Sequence, residues 1–400
     1  VVATSANAKL GFANPAKIDA GLAGDVAVTA VAAGSLAGNI ALALTSNANG
    51  LAGLTNEALV GQSVAVSGAA YDLARATLAS GTLAMGNVRL GQSVAMGVTN
   101  TATTDAAFQD SLDVLATSAN GSLTVVSPAN IAAGLSGNVT VATNVAGAIA
   151  GTVNLGLASN ANGVVGLDNA ALAGQSFAVT GAAFDYAVAT VAPTLDLGNL
   201  RVGANRALNV ANTVTTSAAY QDSLDVAATS ANAKLGFANP GSILAGANAD
   251  VTVTAAAAGS LAGNIALALT SNANGVAGLS NFGLAGQSVA VTGAAFDLAS
   301  ATLAAATLDL GNVRVGQGST LAVTNAVVTA AAFQDSLDVV AASANGKLTL
   351  AAPGNLLAAA SGNVGVTANA VGSLAGTVTL GLTSNANGVV GLDNAALAGQ

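Results

Sequence analysis

The sequence predicts an all-β protein of tandem immunoglobulin-like β-sandwich domains. Three observations carry this: a repeat of about 112 residues, short runs in which apolar and small polar residues alternate, and turns marked by Gly, Asn and Pro.

The repeat is legible in three strings. DSLDV stands at 110–114, 222–226 and 335–339. SNANG begins at Ser46, Ser159, Ser271 and Ser384, and GAAYD or GAAFD begins at Gly68, Gly181 and Gly293. Each series steps by 112 or 113 residues, and a longer period lies over it. TSANAKLGFANP from Thr4 recurs unchanged from Thr229, an offset of 225, so the units alternate A-B-A-B. The predicted domains are 1–74, a repeat lacking its first strands; 75–187; 188–299; and 300–400, a repeat lacking its last strand. Residue 1 is Val and no signal peptide is visible, which reads as a processed chain or a window of a longer one. Either the natural chain extends past both ends or neighbouring molecules supply the missing strands.

Within one unit the strands follow in order. Residues 308–317 (LDLGNVRVGQ) form a strand pattern broken by Gly-Asn, and 320–325 (TLAVTN) a second. FQDSLDVVA at 333–341 and GKLTLAAPG at 346–354 come next, the latter stopped by Pro353 and Gly354. NVGVTANAV (363–371) and GTVTLGLTSN (376–385) follow; in the latter Val378, Leu380 and Leu382 alternate with Thr and Gly, marking one buried face. Asn387-Gly388 is a hairpin-type turn signal, and the last strand, seen in an earlier copy, is QSVAVTGAAFD at 287–297. Ala-rich helices are the competing reading, but few stretches show a period of 3.6.

Taken in that order, LDLGNVRVG, LAVTN, SGNVTV, GTVTLGLTSN and SVAVTGAA resemble the ASH (Hydin-like) immunoglobulin-type domains, above all the bacterial choice-of-anchor D repeats. LGNVRVG at 310–316, with variants at Leu197 and Met85, is the most specific piece. The likeness covers the chain as four copies. It implies a seven-to-eight-stranded sandwich on secreted or surface proteins of bacteria, and no activity. The chain departs from the family in its Ala content and shortage of charge.

Composition excludes several function classes. Cys, His and Trp are absent, which removes thiolate and imidazole metal sites and any nucleophile that needs a His base. No cofactor and no small-molecule substrate are expected, and the protein is not expected to be an enzyme. Net charge is −9 with nine Lys and Arg scattered along the chain, so no nucleic acid partner is expected. The uncharged stretch 251–269 is long enough to cross a bilayer, yet it alternates Val and Thr and contains Asn264. It reads as strand, not as a membrane span. An outer-membrane barrel would want aromatic girdles, and aromatics are only 3%.

The best carboxylate constellation is the pair in each DSLDV: Asp110 and Asp113, Asp222 and Asp225, Asp335 and Asp338. These are weak Ca²⁺ candidates. Residues i and i+3 of a strand face opposite sides, and calcium wants six to eight oxygens, so a structural role near a strand end is the plainer reading. Asp72, Asp185 and Asp297 follow the last strand, where they would cap a turn or hold an ion at the junction. One arginine per GNVR-type motif (Arg89, Arg201, Arg314) suits a salt bridge to a neighbouring strand or domain. Phe108, Tyr220 and Phe333, with Tyr71, Phe184 and Phe296, are expected to anchor each small core.

Function is expected to follow from the outward faces. Soluble designs place about 25–35% charged residues on the surface, whereas the whole chain here has 7%. In 264–270 the outward positions are Asn264, Ala266, Ala268 and Thr270. Faces this small and weakly polar fit a partner that is another copy of the chain, in an extracellular filament, sheath or matrix layer, with strand addition at the incomplete ends. The alternative is the stalk of a cell-surface adhesin whose binding head lies elsewhere.

Overall fold

The structure, a computed structural model, describes residues 1–400. It is all β: apart from strands and turns it holds three single-turn 3₁₀ segments, Ala106–Phe108, Ala218–Tyr220 and Ala331–Phe333. The chain divides into two compact units, Val1–Phe184 and Asp185–Gln400. No helix is long and apolar enough to cross a membrane, and the uncharged stretch 251–269 runs through strands Asn248–Ala255, Gly259–Ser260 and Gly263–Asn272 and the short connections between them.

In the second unit, one antiparallel sheet runs Ala189–Val191, Asn205–Asn212, Asn248–Ala255, Leu235–Ala238. The facing sheet runs Thr194–Arg201, Gln287–Phe296, Gly263–Asn272, Ser223–Ser230. The opening segment thus serves both sheets, pairing antiparallel in the first and parallel with the last strand in the second. This is an immunoglobulin-like sandwich. The first unit repeats it with Thr82–Arg89 parallel to Ala170–Phe184. Strand alternation builds the core: Ile265, Leu267 and Leu269 are buried, while Asn264, Ala266 and Ala268 are exposed. Asn387 and Gly388 both take positive φ, 54° and 71°, closing the expected tight turn.

The parallel pairing demands glycine on both strands. Gly293 sits at φ +135°, and a Cβ there would lie 2.6 Å from the Gly198 carbonyl oxygen across the bulge. Gly181 and Gly86 repeat the contact at 2.5 Å. Gly68, at the same phase of the first repeat, has the same φ of +135° but nothing within 4 Å.

Two regions differ from the second and third repeats. Residues 308–317, expected as a strand, form none. Elsewhere that strand pairs in parallel with a segment of the 287–296 type, whereas no strand pairs with 308–317. Leu308 and Leu310 still pack on the core of Val323, Leu337, Leu380 and Leu382. In the first repeat the buried apolar cluster is reduced to Ala3, Leu10 and Ile40, and Gln62–Val66 is the edge of the sheet containing Val2–Ser5 and Gly38–Ala43.

Gly293→Ala should combine backbone strain with the clash and cost about 3 kcal/mol. Gly68→Ala has the strain without the clash and should cost about half as much. Amide hydrogen exchange of the affected repeat measures both.

Candidate functional site: the junction between repeats

The motifs found by repetition converge where one repeat hands over to the next. DSLD and SNANG zip together across the sheet. In the first unit Ser159 Oγ donates to Asp110 Oδ2 at 2.8 Å, Ser111 Oγ to Asn162 Oδ1 at 2.9 Å, and Asn160 Nδ2 to Asp113 Oδ2 at 2.7 Å. Asp222, Ser223 and Asp225 make the same bonds with Ser271, Asn274 and Asn272. Asp335, Ser336 and Asp338 make them with Ser384, Asn387 and Asn385.

The six aspartates therefore divide by role. Asp110, Asp222 and Asp335 are buried. Asp113, Asp225 and Asp338 are only half-buried and take a second donor on Oδ1, from Asn130, Ser242 and Asn355 respectively. The i and i+3 carboxylates share no donor, and no group of three or more acidic side chains converges.

The serine also receives the connection. Ala74, Ala187 and Ala299, each two residues after the junction aspartate, donate their backbone N–H to Ser159, Ser271 and Ser384 at 2.7–2.8 Å. The next backbone N–H, from Arg75, Val188 or Ser300, goes to the Oδ1 of fully buried Asn100, Asn212 or Asn325. That asparagine donates to the Asp110 and Ile131 carbonyls, or their equivalents, and accepts from Gln109, Gln221 or Gln334. The Asn and Gln lay within the LAVTN and FQDSLDV strings and were overlooked. A polar residue closing an apolar strand at one fixed phase was the signal.

Asp72, Asp185 and Asp297 cap the junction. Backbone bridges join each to Gln109, Gln221 or Gln334. Asp72 Oδ2 accepts from Thr103 and Thr104 at 2.6 and 2.7 Å, and Asp185 Oδ2 from Thr215 and Thr216 at 2.6 and 2.8 Å. The hydroxyls of Thr103 and then Thr104 hold the Asp72 carboxyl below the usual carboxylate range. At the third junction Val328 stands where Thr103 and Thr215 stand, and the buried Asp297 Oδ2 has no donor.

The aromatics differ from expectation. They are half-buried and pair at junctions rather than filling each core: Tyr71 with Phe108 at 5.7 Å and Phe296 with Phe333 at 5.6 Å, both tilted. The fully buried aromatic is Phe177.

The arginine of the GNLR motif completes the junction within the second unit. Arg201 Nη1 lies 2.8 Å from Asp335 Oδ1, whose side chain is 1% exposed. Nη1 makes no aligned hydrogen bond, so that contact is ionic, while Nη2 donates to the Asp393 carbonyl at 2.8 Å. Asn199 Nδ2 donates to the Val390 carbonyl at 3.0 Å. One strand thus offers a cation and an amide to a buried carboxylate and two turn carbonyls of the following repeat.

No family model matches the sequence, and no curated protein matches it. Among solved structures, a three-immunoglobulin fragment of titin is 9% identical, with 78% of this chain and 95% of that one covered and a TM-score of 0.33. The extracellular cadherin domains 1–5 of protocadherin gamma B2 are 10% identical over 99% of this chain and 71% of that one, at 0.29. Domains 4–9 of the surface layer protein SbsC are 14% identical over 93% and 54%, at 0.21. Likenesses of this size carry nothing about activity or partners.

Val328→Thr should give Asp297 the missing donor and stabilise the fourth repeat by about 1 kcal/mol, read as a rise in its unfolding midpoint in urea. For Asp72, whose folded pKa is depressed, the stabilisation is present above the unfolded value of about 3.9 and fades as pH falls through the folded one. Replacing Thr103 and Thr104 by Val should therefore flatten the loss of stability below about pH 4, measured by urea unfolding across a pH series.

Proposed function

We propose that this chain is an extracellular structural protein of the choice-of-anchor D type. Its repeats, divided as 1–74, 75–187, 188–299 and 300–400, would assemble with other copies into a filament, sheath or matrix layer. The observation that carries the reading is the junction. Asp297 is seated on the backbone of the next repeat by two hydrogen bonds, and Arg201 reaches a carboxylate buried in that same repeat. Polar chemistry is spent on holding neighbours together rather than on a cleft.

The surface supports the same reading. Large apolar side chains stand in the open, among them Val165, Val60, Val390 and Val371 at 99%, 90%, 84% and 83% exposure. Around them lie Ala, Thr, Gly and Asn with few charges to keep copies apart. Burial of such faces against other copies would remove apolar area from water at little desolvation cost.

Light scattering of the purified native protein, with low-resolution imaging of the material from cells, tests the proposal. Polydisperse, concentration-dependent assemblies at the cell exterior are the expected result. A stable monodisperse monomer would sink it.

A further inference from the structure

We propose that copies of this chain pack against one another through the outer face of the sheet Thr82–Arg89, Ala170–Phe184, Gly147–Asn160, Ser111–Ser118, with Leu115 of one copy seated over Gly156 of the next. The inference rests on the assembly reading above and names the contact. Leu115 and Gly156 stand directly opposite each other on neighbouring strands, and both lie on the outer face, Leu115 at 66% exposure. A groove of about 450 Å³ runs between Leu115, Gly156 and Ala158 of the sheet and Pro128 and Asn130 of the segment that crosses its edge. The fourth repeat carries the same pair, Val340 at 66% exposure opposite Gly381.

The repeat's own fold does not require these glycines. Neither Gly156 nor Gly381 takes a positive φ. A Cβ at Gly156 would lie 3.7 Å from the Leu115 carbonyl oxygen and 3.8 Å from the Leu115 Cβ, and one at Gly381 would lie 3.9 Å from the same atoms of Val340. These are ordinary contacts. Pairing with the last strand is irregular beside Gly156, but Ala268 fills the same place in the third repeat. A glycine inside a strand weakens it, and where the backbone does not need it, it marks the close approach of something else. The other two repeats have no glycine in this pair: Ala227 faces Ala268, and Val2 faces Ala43.

The occupant is a second copy because the pair fits itself. A two-fold axis lying between two such faces, parallel to the strands and midway between Leu115 and Gly156, places each leucine over the other copy's glycine. The same axis keeps the strands of the two sheets aligned, as in face-to-face sheet packing. Charge does not oppose the approach. In the two strands that hold the pair, the only charged residue is Asp113, and its two oxygens accept from Asn130 and Asn160, each at 2.7 Å. Asp338 is bonded in the same way by Asn355 and Asn385, at 2.7 and 2.6 Å.

The area of the face sets the strength of the contact. At about 3.3 Å per residue and about 4.8 Å between strands, a four-stranded face about eight residues long covers roughly 500 Å². A standard interface buries roughly 800 Å² on each partner, so one such contact is weak alone. Each chain carries the pair twice, at Leu115 and at Val340. Two self-complementary contacts on one chain let each copy join two neighbours, and the assembly gains by multivalency what the single contact lacks.

The experiment follows association of the full chain by sedimentation across a concentration series. Gly156→Val with Gly381→Val adds apolar area, yet it should weaken association at least about tenfold by filling the hollows. Its urea unfolding midpoint should be no lower than that of the parent, since valine suits a strand better than glycine. Leu115→Ala with Val340→Ala should also weaken association. The two variants mixed should associate again, because the large side chains of the first meet the open glycines of the second. Variants that fail alone and fail when mixed overturn the pairing of like faces. Association that is unchanged or strengthened by the glycine substitutions overturns the contact and leaves assembly through other faces standing. A chain that stops at closed dimers, which the glycine substitutions dissociate, upholds the contact and overturns the extended assembly. A chain that is monomeric at every concentration overturns both.

Discussion

A backbone N–H in each connecting segment bonds to a serine hydroxyl, and that hydroxyl bonds to a buried aspartate; the rest of the repeat is arranged around this relay. Burying a carboxylate costs several kcal/mol unless donors surround it. The donors at Asp110, Asp222 and Asp335 come from a strand that lies adjacent only once the sheet has formed. The connection is therefore bonded to the interior of the repeat it enters. Asn100, Asn212 and Asn325 extend the same constraint by tying that connection to the neighbouring strands.

The fold was legible because its signals are local. Alternation in 264–270 and the Asn387-Gly388 turn follow from backbone geometry that any reader of the chain can apply. The segment 308–317 differs from the expected strand because strand formation depends on a partner: the alternation of Leu308, Leu310 and Val313 is present, but no strand pairs with it. The junction was half legible. Asp72 and Arg201 stood out by recurring once per repeat, but that Ser159 would answer Asp110, 49 residues away, is a matter of register that periodicity does not reveal. The aromatics misled because scarcity suggested core anchors, whereas tilted pairs such as Tyr71 and Phe108 are half-buried and hold a boundary.

The interior and the exterior divide the polar work unequally. Buried sites hold hydrogen-bonded Asn, Asp, Gln and Ser, with Asp297 Oδ2 left without a donor, while outward strand positions carry Ala, Thr, Gly and Asn. A protein solvated as a free monomer usually does the reverse, with its charge outside. With 9 basic against 18 acidic residues in 400, there is also little for a mobile counter-ion to screen. Contacts between such faces would depend weakly on salt, and the ion pair at Asp335 is shielded by its own burial.

The alternation of two kinds of repeat bears on how the chain folds at all. Neighbouring domains of near-identical sequence can pair strands across the boundary and become trapped as misassembled species. Here TSANAKLGFANP at Thr4 is followed one repeat later by TSANGSLTVVSP at Thr117, and the identical string returns only at Thr229. For this segment the identical copy is thus a whole repeat away, although shorter strings such as DSLDV and SNANG recur in every repeat. As the chain leaves its site of synthesis, the identical copy of the segment at Thr4 is not yet available when that segment chooses its partner.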